Sequence, residues 1–407
     1  MSDIYKESVK LHEKLKGKID IANKMDVTSK EDLSLLYSPG VAEPCLEIER
    51  NPERAYDLTI KNNTIAVVTN GTAVLGLGNI GALASLPVME GKAMLFKKFA
   101  DVNAFPICLD CTDVDEIVET VRRIAPVFGG INLEDIKAPE SFEVEERLQD
   151  LGIPVFHDDQ HGTAIVTLAA LINAAKVVGK KMEDMKVVIN GAGAAGIAIA
   201  KLLRCFHIDS DLCVSIKQLI VADSKGAIFR RRLNLNKSKM ELLRYSNFDD
   251  VEGNIHEIIK DADVFIGVSQ GGVITADDIR KMAPNPIVFA MANPEPEIMP
   301  ELALAGGAAI VGTGRSDFPN QINNVLAFPG IFKGALKARA KTISTEMKLA
   351  AAFAIAESVP HPTKDMVIPS ALDISLAQKV ADAVEQTVYK ERAIEEEIAK
   401  EEAKLNV

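Results

Sequence analysis

Short apolar runs alternate with longer amphipathic or alanine-rich stretches along most of this chain. Thr64 to Thr69, Ala104 to Leu109 and Pro154 to Phe156 have the length and the β-branched or aromatic content of strands. The stretches between them read as helices, so residues 64 to 160 follow an α/β pattern. Ahead of them, residues 1 to about 30 space Val9, Leu11, Leu15 and Ile19 among charges, the pattern of an amphipathic helix and a connecting turn. Tyr37 to Ala42 is a turn-rich apolar loop. Gly162 to Val178 is alanine-rich and helical in pattern, and a second alternation follows it. There Met185 to Asn190, Gln218 to Ala222, Asp263 to Val268 and Pro286 to Ala290 read as strands. The end of the chain is helical, and Tyr389 to Leu405 is charged enough to be a solvated helix or a frayed tail. The expectation is a two-domain α/β protein. Residues 1–160 would form an N-terminal α/β domain and 161–340 a Rossmann-like, doubly wound domain, hinged near 160 and 330 around a cleft. Residues 341–407 would pack back on the core as helices.

Two stretches fit G-x-G-x-x-G, Gly76 to Gly81 and Gly191 to Gly196. In a dinucleotide site the first glycine makes the strand-to-helix turn and the second lets backbone approach the pyrophosphate. The third lets helix pack on strand. The second stretch has that setting, because the strand ending at Asn190 runs straight into it and Ile197 to Phe206 reads as a helix. Gly191, Gly193, Ala194, Ala195 and Gly196 are therefore the expected cofactor cradle, with an ordinary glycine turn as the alternative. The next strand ends at Asp223, which can accept hydrogen bonds from the adenosine ribose. It lies farther on than the usual ~20 residues, because His207 to Lys217 reads as an insertion. The first stretch fits worse. Pro87 follows soon after it, and proline in a helix interior removes a hydrogen bond and clashes with the preceding turn. Glu90-Gly91-Lys92 is accordingly read as a functional turn, and one dinucleotide site is expected, not two.

Composition narrows the classes. A chain of 407 residues has room for two domains, and 47% hydrophobic with 26% charged content is ordinary for a globular enzyme. A net charge of −12 and a pI near 5.2 argue against a nucleic-acid surface, with Arg230-Arg231-Arg232 the only dense basic cluster. The N-terminus has no apolar h-region and no run approaches the ~20 residues of a membrane span. Five cysteines, an odd number, suggest a reducing, cytoplasmic setting. Cys108 and Cys111 form a C-x-x-C pair in a strand-like run and read as structural thiols.

Two acidic groups carry the candidate chemistry. Glu134 and Asp135 follow an apolar run, and His157-Asp158-Asp159-Gln160-His161-Gly162 follows the strand at Pro154 to Phe156. Carboxylates converging at strand ends make a hard oxygen site suited to Mg²⁺ or Mn²⁺. His157 and His161 would suit zinc, but a turn at Gln160-His161-Gly162 would keep them off one helical face. Either acidic pair alone would be read as a surface helix cap.

Taken together, these residues resemble the malic enzymes, in particular the short-subunit prokaryotic type. Tyr37-Ser38-Pro39-Gly40-Val41-Ala42 is similar to the family's Y-T/S-P-G-V-A loop, Gly76 to Gly81 to its G-L-G-x-x-G turn, and Gly91-Lys92 to its G-K element. Glu134-Asp135 and His157 to Ala164 resemble its metal-binding stretches. Asn293-Pro294 and Asn323-Asn324, ahead of Phe328-Pro329-Gly330, resemble its substrate-contact asparagines. The resemblance runs nearly end to end. It implies Lys92 as general base on the substrate hydroxyl and Tyr37 as the acid that protonates the enol carbon. It implies Glu134, Asp135 and Asp159 as ligands of Mg²⁺ or Mn²⁺, with Asp158 as a neighbour that tunes Lys92. Asn293 and Asn324 would hold malate, Asn293 also bordering the cofactor, and the assembly would be a homodimer or higher homo-oligomer.

That chemistry needs these residue types. A base lysine must lose its proton near neutral pH, which calls for burial or a nearby cation. A metal would polarise the carbonyl formed by hydride transfer and stabilise the enolate left by CO₂. In the larger family members an arginine precedes the first glycine turn and contacts the substrate carboxylate. Here Ala73-Val74-Leu75 stands in that place. Asp223 favours NAD, since a carboxylate repels a 2′-phosphate, although Lys225 and Arg230 to Arg232 could offset it and admit NADP. The expected reaction is oxidative decarboxylation of L-malate to pyruvate and CO₂. The rivals are a malolactic-type or amino-acid-dehydrogenase-like relative, and a non-catalytic dinucleotide-sensing protein, which would be expected to have a damaged constellation.

Overall fold

The computed structural model describes residues 2–74, 76–205 and 215–405. The stretch read as an insertion after His207 lies outside them as far as residue 214. Helices α1 (Ser2–Leu15) and α2 (Lys30–Leu36) precede the first sheet. That sheet is built on β1 (Thr64–Thr69), flanked by β2 (Asn103–Cys108) and β3 (Gly130–Leu133), with β4 (Val155–His157) outside β3. All its pairings are parallel. Both faces of β1 are buried, as expected of a parallel strand covered by helices. Ile65 and Val67 point to one core, Ala66 and Val68 to the other.

The second sheet has six strands. They are β5 (Lys186–Asn190), β6 (Gln218–Asp223), β7 (Gly226–Ala227), β8 (Val264–Gly267), β9 (Ile287–Ala290) and β10 (Ile310–Thr313). Their order is β10-β9-β8-β5-β6-β7, and only β7 is antiparallel. The chain leaves β5 toward β6 and later returns on its other side at β8. That reversal puts a topological switch point at the C-terminal end of β5, where such sheets bind ligands.

One core joins the two sheets. It takes Ile65 and Val67 from the first and Val187 and Ile189 from the second. The helices that build it are α3 (Gly81–Ala100), α5 (Asp158–Val178) and α6 (Ala194–Leu203), while α4 (Glu140–Leu148) packs Val144 and Leu148 into the core on the first sheet's other face. The C-terminal α7 (Phe328–Lys337), α8 (Thr345–Glu357) and α9 (Leu376–Leu405) complete the shared core. Among the described residues α5 alone is long and apolar enough to cross a membrane, but 67% of its most apolar window is buried, so it is a core helix.

Several expectations need correction. Glu90-Gly91-Lys92 is not a turn but helix interior, because α3 runs unbroken through Pro87. Proline removes one donor, the partner of the Leu83 carbonyl, at an exposed turn where Leu83 is 85% exposed. The segment Gln160-His161-Gly162 is also helical, since α5 starts at Asp158; a helical glycine costs only about 1 kcal/mol. Among the described residues, Cys45, Cys108 and Cys111 are free thiols as expected.

Phe332 on α7 is fully buried and meets Phe96 and Phe156 edge-on, with centroids 5.5 and 5.9 Å away. Phe332→Ala is expected to cost about 3–5 kcal/mol, measured as a lowered urea midpoint with an unchanged slope.

Candidate active site

The C-terminal ends of β1, β3 and β4 converge on one buried cluster. Glu134 follows β3 directly, its amide donating to the Val68 carbonyl at 2.9 Å. Asp158 and Asp159 open α5 directly after β4, where the helix dipole favours negative charge and no side chain caps the first turn. Lys92 reaches in from α3. Its Nζ lies 2.5 Å from Asp158 Oδ2 and 2.8 Å from Glu134 Oε1, and 4.2 Å over the Phe328 ring. Asn324, just before α7, donates to the same Asp158 oxygen, and Asn132 donates to Glu134 at 2.8 Å. Asp135 adopts a left-handed backbone conformation, φ 52°, and its amide donates to Asp159 Oδ2 at 2.8 Å.

Charge in this cluster is strongly perturbed. Burial raises the carboxyl of Glu134 to about 7 and that of Asp158 to about 6, against the pull of Lys92. Burial acts on Lys92 in the opposite sense, but Asp158 and Glu134 outweigh it and hold the ammonium above the ordinary lysine range. Burial likewise raises Asp159. Oxygens of Glu134, Asp135 and Asp159 all lie within 4.8 Å of one another. Such a set of hard oxygen donors fits a divalent cation, whose charge offsets the repulsion among the carboxylates. Two further observations agree: Asp158 Oδ1 and both ring nitrogens of His157 are buried without a hydrogen-bond partner.

The second glycine turn sits at the switch point. Gly191, φ 128°, donates to the Ala222 carbonyl at 2.8 Å, and a Cβ there would meet the Val268 carbonyl. A Cβ on Gly196 would overlap the Gly191 carbonyl, whereas one on Gly193 would meet nothing within 4 Å. The turn thus packs tightly at its two ends and opens at its middle, ahead of the uncapped N-terminus of α6. The first glycine turn has a different job. It begins well after β1 ends, and a Cβ on Gly76 would overlap the Asn293 carbonyl beyond β9, so it packs against the second sheet's loops.

Comparison with known proteins follows this geometry. Residues 16–149 match the malic enzyme N-terminal domain and residues 160–391 the malic enzyme NAD binding domain. The chain belongs to the malic enzyme family. It is 54% identical over 410 residues to the bifunctional malic/malolactic enzyme of Bacillus subtilis, covering 98% of each chain. It is also 54% identical over 377 residues to the NAD-dependent malic enzyme of Geobacillus stearothermophilus, covering 92% of this chain and 77% of the relative. The crystal structure of a Thermotoga maritima NAD-dependent malic enzyme superposes with a TM-score of 0.88 at 47% identity, covering 93% and 98% of the two chains.

Within this malic enzyme chain, Lys92, Glu134, Asp135, Asp159 and Asn324 are brought together, with Asp158 at their centre. Asn293 lies apart, exposed at the junction of the first glycine turn with β9 and β10. Tyr37 is not in the cluster: it caps the C-terminal end of α2 and is 69% exposed. His157 and His161 stand outside the set of oxygen donors: His161 Nε2 bonds Glu145 at 2.8 Å, and His157 is buried.

Sequence reasoning missed three supports. Glu145 on α4 takes the His157 amide at 3.2 Å and the Gln160 side chain at 3.1 Å, and so holds the turn into α5. Glu297 takes the amides of Ser269 and Ala292 and fixes the loops after β8 and β9. Gly162 leaves room for the Asp158 carboxylate, with which any Cβ would overlap. The signal for Gly162 was present, as a lone glycine inside an alanine-rich helix. Gly162→Ala is expected to lower kcat at least about tenfold by moving Asp158 off Lys92, at a helix-propensity gain of up to about 1 kcal/mol. Steady-state kinetics beside thermal melting measures both.

Proposed function

We propose that this chain oxidatively decarboxylates L-malate to pyruvate and CO₂, reducing a nicotinamide cofactor, with Mg²⁺ or Mn²⁺ held by Glu134, Asp135 and Asp159. The observation that carries this reading is Lys92, buried between Asp158 and Glu134 beside those three oxygen donors. When bound, the metal supplies polarisation of the substrate's C2 oxygen and stabilisation of enolate charge.

The other roles fall to the chain itself. Lys92, once it has lost its own proton, would accept that of the C2 hydroxyl, and the nicotinamide cofactor, when bound, would supply the hydride acceptor. Neutralising Glu134 removes one of the two charges that keep Lys92 protonated, and Asp158 remains to orient its Nζ. Asn324 and Asn293 bind malate. Loss of CO₂ leaves an enolate whose C3 takes a proton from Tyr37. Gly191 to Gly196, with Ala194 and Ala195 opening α6, hold the pyrophosphate, and Asp223 at the end of β6 supports NAD as the acceptor. A second reading, malolactic conversion, is favoured by the bifunctional relative from Bacillus subtilis. Both readings belong in the cytoplasm, where malate and the cofactor are available.

A homodimer is part of this proposal. Ile4, Val9, Leu11, Leu15, Leu35 and Leu36 are all exposed on the segment that carries Tyr37. Large apolar surface of that extent marks an interaction site, and docking it is what brings Tyr37 to a catalytic cluster.

With L-malate, Mn²⁺ and NAD⁺, the purified protein should form pyruvate and NADH one to one, and a chelator should abolish turnover. Lactate formed without net NADH would replace this reading with the malolactic one. Lys92→Ala should lower kcat by about 10²–10⁴-fold, with the circular dichroism spectrum retained. Tyr37→Phe should reduce decarboxylation. Mixing the two variants tests where Tyr37 acts. Recovery toward about a quarter of wild-type activity is expected if it serves a second copy of the chain, and no recovery if it serves its own.

A further inference from the structure

His157 is a buried polar group to which the reaction gives no task. It closes β4, opposite Leu133 of β3, and its amide donates to Glu145 Oε1 at 3.2 Å. Its side chain is 0% exposed, and neither ring nitrogen has a hydrogen-bond partner among the described residues. An imidazole so placed gives up the hydration of a donor and an acceptor and gains no bond in return. The position also favours a different residue. His157 is the N-cap of α5, where serine, threonine, asparagine or aspartate would accept an amide of the first turn. The ring makes no such bond. Both costs fall on the turn that carries Asp158 and Asp159.

Three observations relate the ring to the oxygen donors. First, its Nδ1 lies 3.9 Å from Asp159 Oδ2, beyond hydrogen-bond length by about 1 Å. Second, the two side chains are layered. Asp159 is 34% exposed and lies within 4.8 Å of Glu134 and Asp135 oxygens, whereas His157 is wholly enclosed and outside that set. Third, the nearby acid Glu145 is already occupied, by the His157 amide, the Gln160 side chain and the His161 ring. Asp159 Oδ2 takes one donor so far, the Asp135 amide at 2.8 Å. A second donor on that oxygen would fix the carboxylate and leave Oδ1 for a cation. Carboxylates that bind metals are commonly held by such outer hydrogen bonds.

We propose that His157 is a positioning residue for the divalent cation: with its proton on Nδ1 it donates to Asp159 Oδ2 in the cation-bound protein, and so orients that carboxylate for Mg²⁺ or Mn²⁺. The ring is a liability in the free protein, offset when the cation site is filled. Stability and metal affinity therefore pull in opposite directions at this one position, which ordinary packing of a core histidine would not produce. The inference rests on the cation reading above.

Calorimetric binding of Mn²⁺ to the whole chain, without malate or cofactor, tests it beside thermal melting of the metal-free protein. His157→Leu keeps a side chain of similar size and removes both ring nitrogens. It should raise the Mn²⁺ dissociation constant about 10–100-fold. The metal-free melting temperature should stay the same or rise, because an unpartnered polar group leaves the interior. His157→Gln, which retains an N–H donor, should bind Mn²⁺ more tightly than His157→Leu. An unchanged dissociation constant in His157→Leu, with wild type binding Mn²⁺, would overturn the role of His157 and leave the cation site standing. Weaker binding together with a lowered metal-free melting temperature would mean a packing role only, and would also overturn it. No Mn²⁺ binding by wild type would sink the cation reading and this inference with it.

Discussion

A lysine ammonium buried between two carboxylates is the constraint around which the rest is arranged. Each of these charges loses most of its hydration, and that loss, several kcal/mol per ion, is offset only when partners are close and well aligned. Lys92, Asp158 and Glu134 come from three different elements, α3, α5 and the end of β3. None of those elements can shift without stranding a charge. The first sheet's register fixes Glu134, the entry into α5 fixes Asp158, and Phe328 at the start of α7 closes the lysine from behind. The glycine at 162 and the pin from Glu145 belong to the same arrangement, since both keep the Asp158 turn where Lys92 needs it.

The two sheets serve this site through one shared core. Strand ends of the first sheet supply acids and strand ends of the second supply the cofactor turn, and helix α5 passes between them. The first glycine turn touches the second sheet's loop at Asn293, so the two sets of strand ends meet across a single crevice. A hydride donor and acceptor have to be within contact of each other. A core continuous between the sheets holds that separation better than two independent cores would.

Much of this was legible in the residues. The second glycine turn was readable because an apolar run enters it directly, and β1, β5, β6, β8 and β9 because β-branched runs are bounded by turn residues. Lys92 and the three candidate metal ligands were reached through the resemblance of their motifs to those of the malic enzymes. What was misread has physical reasons. Pro87 was given the weight of a helix breaker, yet it costs one bond on an exposed turn. Strands β3 and β10 were not read, and β7, two residues long, carries too little periodicity to separate from a loop. Glu145 and Glu297 went unnoticed, because nothing local reveals which amides they meet in the fold.

The same device recurs at the two ends of the crevice. At one end, carboxylates at strand termini hold a lysine; at the other, a carboxylate at a strand terminus holds an arginine and a lysine. In both places the charge a ligand meets is set by the pairing, not by the residue that a motif names. Asp223 alone predicts one cofactor, and Lys92 alone predicts a solvated ammonium. In both clusters the local charge is set by a buried ion pair assembled from separate elements, a property of packing that no single position encodes.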